Sequence, residues 1–293
     1  MKTMNEVISL YSEYINQTLN TYLPENKNDV LDSALRYSVF AGGKRIRPII
    51  CLAFCDMISG SFEKALPFAC ALEMVHTYSL IFDDLPCMDN DSLRRGIPTN
   101  HVVFGESTAV LAGMGLYGEA FTQIIADGTR RGLSDNQIIR GIKILLDASG
   151  QKGIVRGQVL DLENKPGLTE NEVLNIHNLK TAAMLKASAL LGCVAADASE
   201  EILCAAEKYA ESIGLAFQIR DDILDVTGTV SEMGKTLGKD AAEEKTTFVN
   251  IYGLEEAQRL VEEYTDKAVE AINKYDKTGF LKDLAVYLAT RTK

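Results

Sequence analysis

Positive charge is what this sequence is short of. Its 293 residues carry 30 Lys and Arg against 41 Asp and Glu, a net charge of -11. So acidic a chain has no general attraction for nucleic acid or anionic lipid, and any basic site has to be local. Histidine is scarce as well, and His76, His101 and His177 are too scattered for a metal cluster. The cysteines (Cys51, Cys55, Cys70, Cys87, Cys193, Cys204) include no C-x-x-C pair and sit in apolar context, as buried reduced thiols of a cytoplasmic protein do. No basic-then-apolar signal opens the chain at Met1-Lys2-Thr3-Met4-Asn5-Glu6. The longest uncharged small-apolar run, 187–196, is too short to span a bilayer. The expectation is a cytoplasmic chain with no membrane span and no nucleic-acid partner.

Several catalytic signatures are missing too. There is no G-x-S-x-G, no H-E-x-x-H and no dinucleotide glycine fingerprint. Gly228 to Lys235 is not a P-loop, because five residues separate its glycines and a helical pattern precedes it where a strand is required.

Proline is sparse, at six residues, and β-branched alternation is rare, while apolar residues recur at helical spacing. The fold expected is all-α. Helices are predicted over about 4–22, 30–41, 48–59, 63–85, 106–127, 134–149, 152–162, 169–192, 199–227, 255–274 and 279–290. Two of them open with capping boxes, Ser134 with Gln137 and Thr169 with Glu172. The stretches 70–82, 109–126, 183–196 and 213–226 carry little charge and should lie innermost, whereas 255–274 has a polar face. With no repeat, low-complexity tract or linker, a single domain over 1–293 is expected.

Against this background two acid clusters stand out. Asp83, Asp84, Asp89 and Asp91 fall within nine residues at the end of an apolar helical pattern, with Pro86 as a bend and Arg94-Arg95 directly after. Carboxylates set against a core call for a cation. Asp221, Asp222 and Asp225 form the second cluster. Asp221 and Asp225 share a helix face and repel, while Asp222 is turned about 100° away. Carboxylates supplied one or two per ion, with no EF-hand loop, suit magnesium bridging to substrate phosphates. Basic residues lie close by in sequence: Lys44, Arg45 and Arg47 before Pro48, then Arg94, Arg95, Lys180, Lys235 and Lys245. Each alone reads as a solvated surface charge. Beside two Asp-rich helices they read as a polyanion site shared with metals.

These motifs together resemble the short-chain trans-isoprenyl diphosphate synthases, the farnesyl and geranylgeranyl diphosphate synthase family. Asp83-Asp84-Leu85-Pro86-Cys87-Met88-Asp89 with Arg94-Arg95-Gly96 is similar to the first aspartate-rich motif, and Asp221-Asp222-Ile223-Leu224-Asp225 to the second. Gly42-Gly43-Lys44-Arg45-Ile46-Arg47-Pro48, Gly157-Gln158 with Asp161-Leu162, Lys180-Thr181 and Phe217-Gln218 match further segments, so the likeness covers nearly the whole chain. It implies an isoprenoid-synthase bundle of ten or more helices around a deep central cavity, a homodimer, and a head-to-tail condensation. About three magnesium ions per active site would be held by Asp83, Asp84, Asp89, Asp221, Asp222 and Asp225. Arg94, Lys180, Thr181, Gln218, Lys235 and Lys245 would serve the allylic diphosphate. Lys44, Arg47, His76 and Arg95 would hold isopentenyl diphosphate. Tyr78 and Ser79, five and four residues before Asp83, would form the floor that stops elongation at the farnesyl product, with geranylgeranyl as the alternative.

The chain departs from the family pattern at Met114 (usually Asp), Ala182 (usually Gly) and Ile97 (usually Lys). None of these is a predicted diphosphate or metal ligand. Gly228, Gly234 and Gly238 would let the segment 228–245 close over substrate. A terpene cyclase needs no second diphosphate site such as Lys44, Arg47 and Arg95 offer. A head-to-head squalene-type synthase lacks the G-G-K-R-x-R-P segment. A non-catalytic partner subunit is expected to lose one acid cluster, and here both are intact.

Overall fold

Apolar residues on nearly every side of the segments 48–55, 66–75 and 184–195 force those segments inward, and the rest of the chain wraps them. The computed structural model describes residues 3–164, 166–227 and 246–291. In chain order the helices are α1 (Met4–Tyr22), α2 (Val30–Val39), α3 (Ile46–Ser59), α4 (Leu66–Asp83), α5 (Asn100–Phe104), α6 (Glu106–Arg130), α7 (Asp135–Ser149), α8 (Ile154–Leu162), α9 (Glu170–His177), α10 (Ala183–Ala195), α11 (Glu200–Thr227), α12 (Phe248–Tyr252), α13 (Leu254–Ile272) and α14 (Phe280–Thr290). The all-α expectation holds. Both predicted capping boxes form, at Ser134 and Thr169, and a third opens α1 at Thr3.

Several boundaries differ from the sequence reading, each for a local reason. The helix expected over 63–85 begins as a 3-10 turn, Glu63–Ala65, and becomes α-helical where Pro67 enters the first turn. The helix expected over 169–192 is interrupted by a π-helical segment, Asn178–Ala182. Between the first acid cluster and α6 lie a two-residue hairpin, β1 (Leu93–Arg94) with β2 (Ile97–Pro98), and the short α5. Pieces this short leave no periodic signal.

Helix α4 is the axis of the bundle, packing on α6, α3, α1, α10, α2 and α7. Every residue from Leu66 to Val75 is buried. From His76 onward the helix becomes half-open: His76, Tyr78, Ser79, Leu80, Phe82 and Asp83 are all partly exposed. The solid core therefore ends about two turns before the acid cluster. Helices α3 and α10 lie beside α4, and α11 packs along α13. A smaller apolar cluster around Val173, Ile219, Phe248 and Val261 ties α9, α11, α12 and α13 together.

By length and composition α4 with its preceding turn, and α6, are apolar enough to cross a membrane, although each carries charged residues. The first is mostly buried in the bundle. Helix α6 is only 33% buried in its most apolar window, so one face of it packs on α4 and α2 while the other is open.

Candidate active site

The first acid cluster sits where α4 runs out. Asp84 caps the helix, and the chain folds back so that the Asp89 N–H donates to the Asp83 carbonyl at 2.9 Å. This bend follows Pro86 as expected and brings the Asp83 and Asp89 carboxylates into electrostatic contact. Burial, then the neighbouring carboxylates opposed by Lys180, pushes Asp83 up to about 6. Asp84 is buried and also raised by burial, although Arg94 donates Nε and Nη2 to its Oδ1 at 2.6 and 2.5 Å.

The arginine pair is presented by the hairpin. Arg95 and Gly96 form its two-residue turn, both with positive φ (54° and 80°). Glycine accepts that conformation freely, whereas arginine pays about 1–2 kcal/mol for it. The Arg95 guanidinium donates to the Gly42 carbonyl and lies against Gly43, where an added Cβ would stand 2.7 Å from its Cζ. The glycine pair thus makes room for the arginine.

Of the adjacent basic run, Arg45 is structural. It is buried, holds φ 53° at the start of α3, and pairs with buried Glu73 at 2.5 Å while donating to the Val39 carbonyl and to Asn16. Arg47 instead donates Nη1 to His76 Nε2 at 3.3 Å. That nitrogen must be unprotonated, because a guanidinium has nothing to accept with. Burial first, and Arg47 second, hold His76 well below its ordinary pKa, in agreement. Lys44 is exposed on the same loop.

Lys180 and Thr181 stand in the π-helical segment, a distortion that concentrates at functional sites. Lys180 Nζ pairs with Asp161 of α8 at 2.7 Å. Helix α8 comes this close because position 157 is glycine: a Cβ there would lie 2.7 Å from Lys180 Cα. Thr181 Oγ1 donates to Gln218 Oε1 at 2.9 Å. The Ala182 departure is matched on α11, where Gly214 leaves its methyl room.

In the second cluster the three carboxylates part ways. Asp221 pairs with Arg291 at 2.5 Å. Asp222, on the other face as predicted, is buried, accepts from Gln218 at 3.4 Å, and caps α12 by accepting the Phe248 N–H at 2.9 Å. Its Oδ2 lies 4.0 Å from His177 Nε2, whose ring stacks on Phe248. Asp225 is half-buried one turn beyond Asp221. The two halves share one field, since Lys180 acts on Asp83 and Asp221 acts on Arg47. Among the described residues no three His, Cys, Asp or Glu side chains converge on a single point. Predicted Lys235, Lys245 and the glycines of 228–245 lie outside the described residues.

Below Asp83, Tyr78 meets Phe82 edge-on at 4.8 Å and Tyr117 of α6 at 5.0 Å. Ser79 donates its hydroxyl to the His76 carbonyl at 2.9 Å. Sequence reasoning missed Arg291, Phe82 and Tyr117. Arg291 meets Asp221 across 70 residues, and Tyr117 meets Tyr78 only through helix packing, so no local spacing marks either.

Comparison with known proteins gives this arrangement its context. The family model described as polyprenyl synthetase matches residues 28–279. The large subunit 1 of a heterodimeric chloroplastic geranylgeranyl pyrophosphate synthase from Arabidopsis thaliana is 43% identical over 288 residues, 96% of this chain and 77% of the relative. A chloroplastic geranylfarnesyl diphosphate synthase from Leucosceptrum canum is 44% identical over 287 residues, 95% and 78% of the two chains. Among solved structures, an apo FPP/GFPP synthase from Zymomonas mobilis superposes with a TM-score of 0.87 at 31% identity, covering 98% of this chain and 99% of that one. A geranyltransferase from Legionella pneumophila gives a TM-score of 0.87 at 33% identity over 99% and 97%. With the family model spanning most of its length, and an all-α bundle shared with these enzymes, the chain belongs to the polyprenyl synthetase family, among the short-chain trans-prenyl diphosphate synthases.

Proposed function

We propose that this enzyme condenses isopentenyl diphosphate head-to-tail with dimethylallyl and then geranyl diphosphate, releasing diphosphate and making farnesyl diphosphate. The observation that carries the product length is Tyr78, a half-buried ring wedged between Phe82 and Tyr117 just where α4 stops being solid core. A chain growing down from Asp83 meets that ring within about two helical turns.

Asp83, Asp84 and Asp89, with Asp221 and Asp225 of the second cluster, are the magnesium-binding residues, whereas Asp222, expected among them, is buried and taken up by Gln218 and the Phe248 N–H. The donor set fits: hard carboxylate oxygens, and an Asp83 raised by burial and by its neighbours, suit an ion that takes one or two carboxylates and completes its shell with phosphate and water. When bound, magnesium offsets the charge that builds on the departing diphosphate. Arg94, Lys180, Thr181 and Gln218 position the allylic diphosphate, and Lys235 and Lys245, which lie outside the described residues, are assigned to the same group by the family resemblance. Lys44, Arg47, Arg95 and neutral His76 hold isopentenyl diphosphate. Carbonyl and hydroxyl dipoles at Lys180, Thr181 and Gln218 stabilise the allylic cation, and the apolar walls exclude water. Attack by the isopentenyl double bond is followed by proton loss to the departing diphosphate.

Two copies pair through the open face of α6, where Leu111, Met114 and Ile125 are exposed. Methionine at 114, in place of the family's usual aspartate, adds apolar surface to that face.

A second reading, geranylgeranyl diphosphate as product, is favoured by relatives at 42–44% identity that carry that name. Product analysis with magnesium, isopentenyl diphosphate and either dimethylallyl or geranyl diphosphate separates the two, run for wild type beside Tyr78→Ala. Farnesyl diphosphate lengthening in the variant supports the first reading. Geranylgeranyl diphosphate unchanged by the variant supports the second, and cyclised hydrocarbon without condensation sinks both.

A further inference from the structure

Tyr78 does not stand alone. Beneath it the α4–α6 groove carries a ladder of rings: Phe82 to Tyr78 at 4.8 Å, Tyr78 to Tyr117 at 5.0 Å, and Tyr117 to Phe121 at 5.1 Å. Helix α6 runs opposite to α4, since its Gly113 faces Tyr78 and Phe82 while Arg131, just past its end, donates to the Glu63 carbonyl near the start of α4. Descending α6 therefore leads away from Asp83. At Gly113 the helix offers no side chain, and a Cβ there would stand 2.8 Å from Phe82 Cδ2 and 3.4 Å from Tyr78 Cδ2. One turn lower it presents Tyr117.

Tyr117 is also clamped at its far end. Its hydroxyl lies 3.2 Å from Ser149 Oγ, at the end of α7, so the ring spans from α6 to a third helix. Ser149 is buried and spends its single proton on the Leu145 carbonyl at 2.7 Å. It can then only accept, and the Tyr117 O–H must donate to it. A tyrosine with its ring on Tyr78 and its hydroxyl pinned across the groove has little rotamer freedom left.

We propose that Tyr117, held in place by Ser149, is a second product-length residue, forming with Tyr78 a two-layer floor under the growing prenyl chain. The proposal rests on the reading of Tyr78 as a floor. Removing Tyr78 alone uncovers the Tyr117 ring instead of open space, so elongation resumes and then stops again. Ser149 is a positioning residue that acts through Tyr117.

The test is the product distribution of Tyr78→Ala, Tyr117→Ala, the double variant, Tyr117→Phe, Ser149→Ala and Ser149→Thr, with Tyr117→Leu in reserve should Tyr117→Ala not fold. The double variant should make a main product at least one isoprene unit longer than Tyr78→Ala does. Tyr117→Ala should raise the ratio of longer to wild-type product roughly 10-fold or more, the scale on which apolar pockets discriminate small length differences. Ser149→Ala should shift the ratio in the same direction, more than Tyr117→Phe, because it strands a half-buried hydroxyl. Ser149→Thr should restore the wild-type ratio, which a merely structural role for Ser149 would not require. If Tyr78→Ala lengthens the product but Tyr117→Ala, Tyr117→Leu and the double variant add nothing, the Tyr117 proposal is overturned and the Tyr78 floor stands. If no variant lengthens the product, the floor reading itself has failed and this inference with it.

Discussion

Arg291 Nη2 lies 2.5 Å from Asp221 Oδ1, so a cation from beyond α14 occupies a carboxylate of the second acid cluster. The same guanidinium stacks 3.7 Å over the Phe217 ring and donates to the Phe217 carbonyl, while Arg220 grips the Arg291 carbonyl through Nε and Nη2. Two further acids are neutralised in the same way, Asp84 by Arg94 and Asp161 by Lys180.

Loading the site with magnesium and diphosphate must compete with the Arg291 pair. Arg291→Gln is expected to lower the magnesium concentration for half-maximal activity by roughly 3- to 10-fold and to cost about 1.5–3 kcal/mol of stability, as a charge-assisted hydrogen bond does. Magnesium titrations and denaturant unfolding check the two halves. An unchanged or raised magnesium requirement would show that the pair does not compete.

Arg45 and Glu73 are both buried and tie the basic loop to α4. Truncating one partner leaves the other as an unpaired buried charge, so Arg45→Met should destabilise by about 3–5 kcal/mol. Adding Glu73→Met should recover much of that loss. Urea unfolding of the two variants measures it, and equal instability of single and double variants would refute the account.

Gly157→Ala should be more harmful than its size suggests. Its Cβ meets the backbone of Lys180, which can yield only by moving the π-helical segment. A stability loss of about 1–3 kcal/mol is expected, with activity falling more steeply because Lys180 and Thr181 shift together. Thermal unfolding beside steady-state kinetics tests the pairing of the two effects.

Two histidines make the enzyme sensitive to mild acid. Burial holds His76 well below its ordinary pKa of 6.5 and takes His177 down to about 4. The unfolded chain therefore binds protons below pH 6.5 that the native state refuses, and stability falls as pH drops through that range, for His177 until about pH 4. Asp83, raised to about 6, works in the opposite sense, its contribution being lost as pH rises through 6. Comparing His177→Gln with wild type cancels Asp83: the variant should show a shallower fall in unfolding midpoint between pH 7 and pH 5. Parallel curves would count against the assignment.

The acid clusters, the basic residues and the inner position of α4 and α10 were legible, because each rests on a short-range pattern, whereas 109–126, expected innermost, leaves one face of α6 open. Asp222 facing away from Asp221 follows from helical geometry alone, and the structure gives it a different partner, the Phe248 N–H. What was not legible was the pairing. The bound state of Asp221 depends on Arg291, that of Lys180 on Asp161, and the tilt of Tyr78 on Tyr117, each brought together by packing of separate helices. Arg45 shows the reverse error that spacing invites. It stands amid ligand-like arginines, and only burial and Glu73 reveal it as a strut.

The π-helical segment at Asn178–Ala182 has a consequence beyond the two side chains it carries. An α-helix advances 100° per residue, and a π turn holds one residue more, so whatever follows is rotated out of phase with whatever came before. Before it, α9 buries Val173 among Ile219, Phe248 and Val261; after it, α10 buries Met184 and Leu185 in the main core. The bulge is therefore a phase shifter that lets one continuous rod serve two separate cores. Deleting a single residue within it would restore a regular helix and force a choice between them.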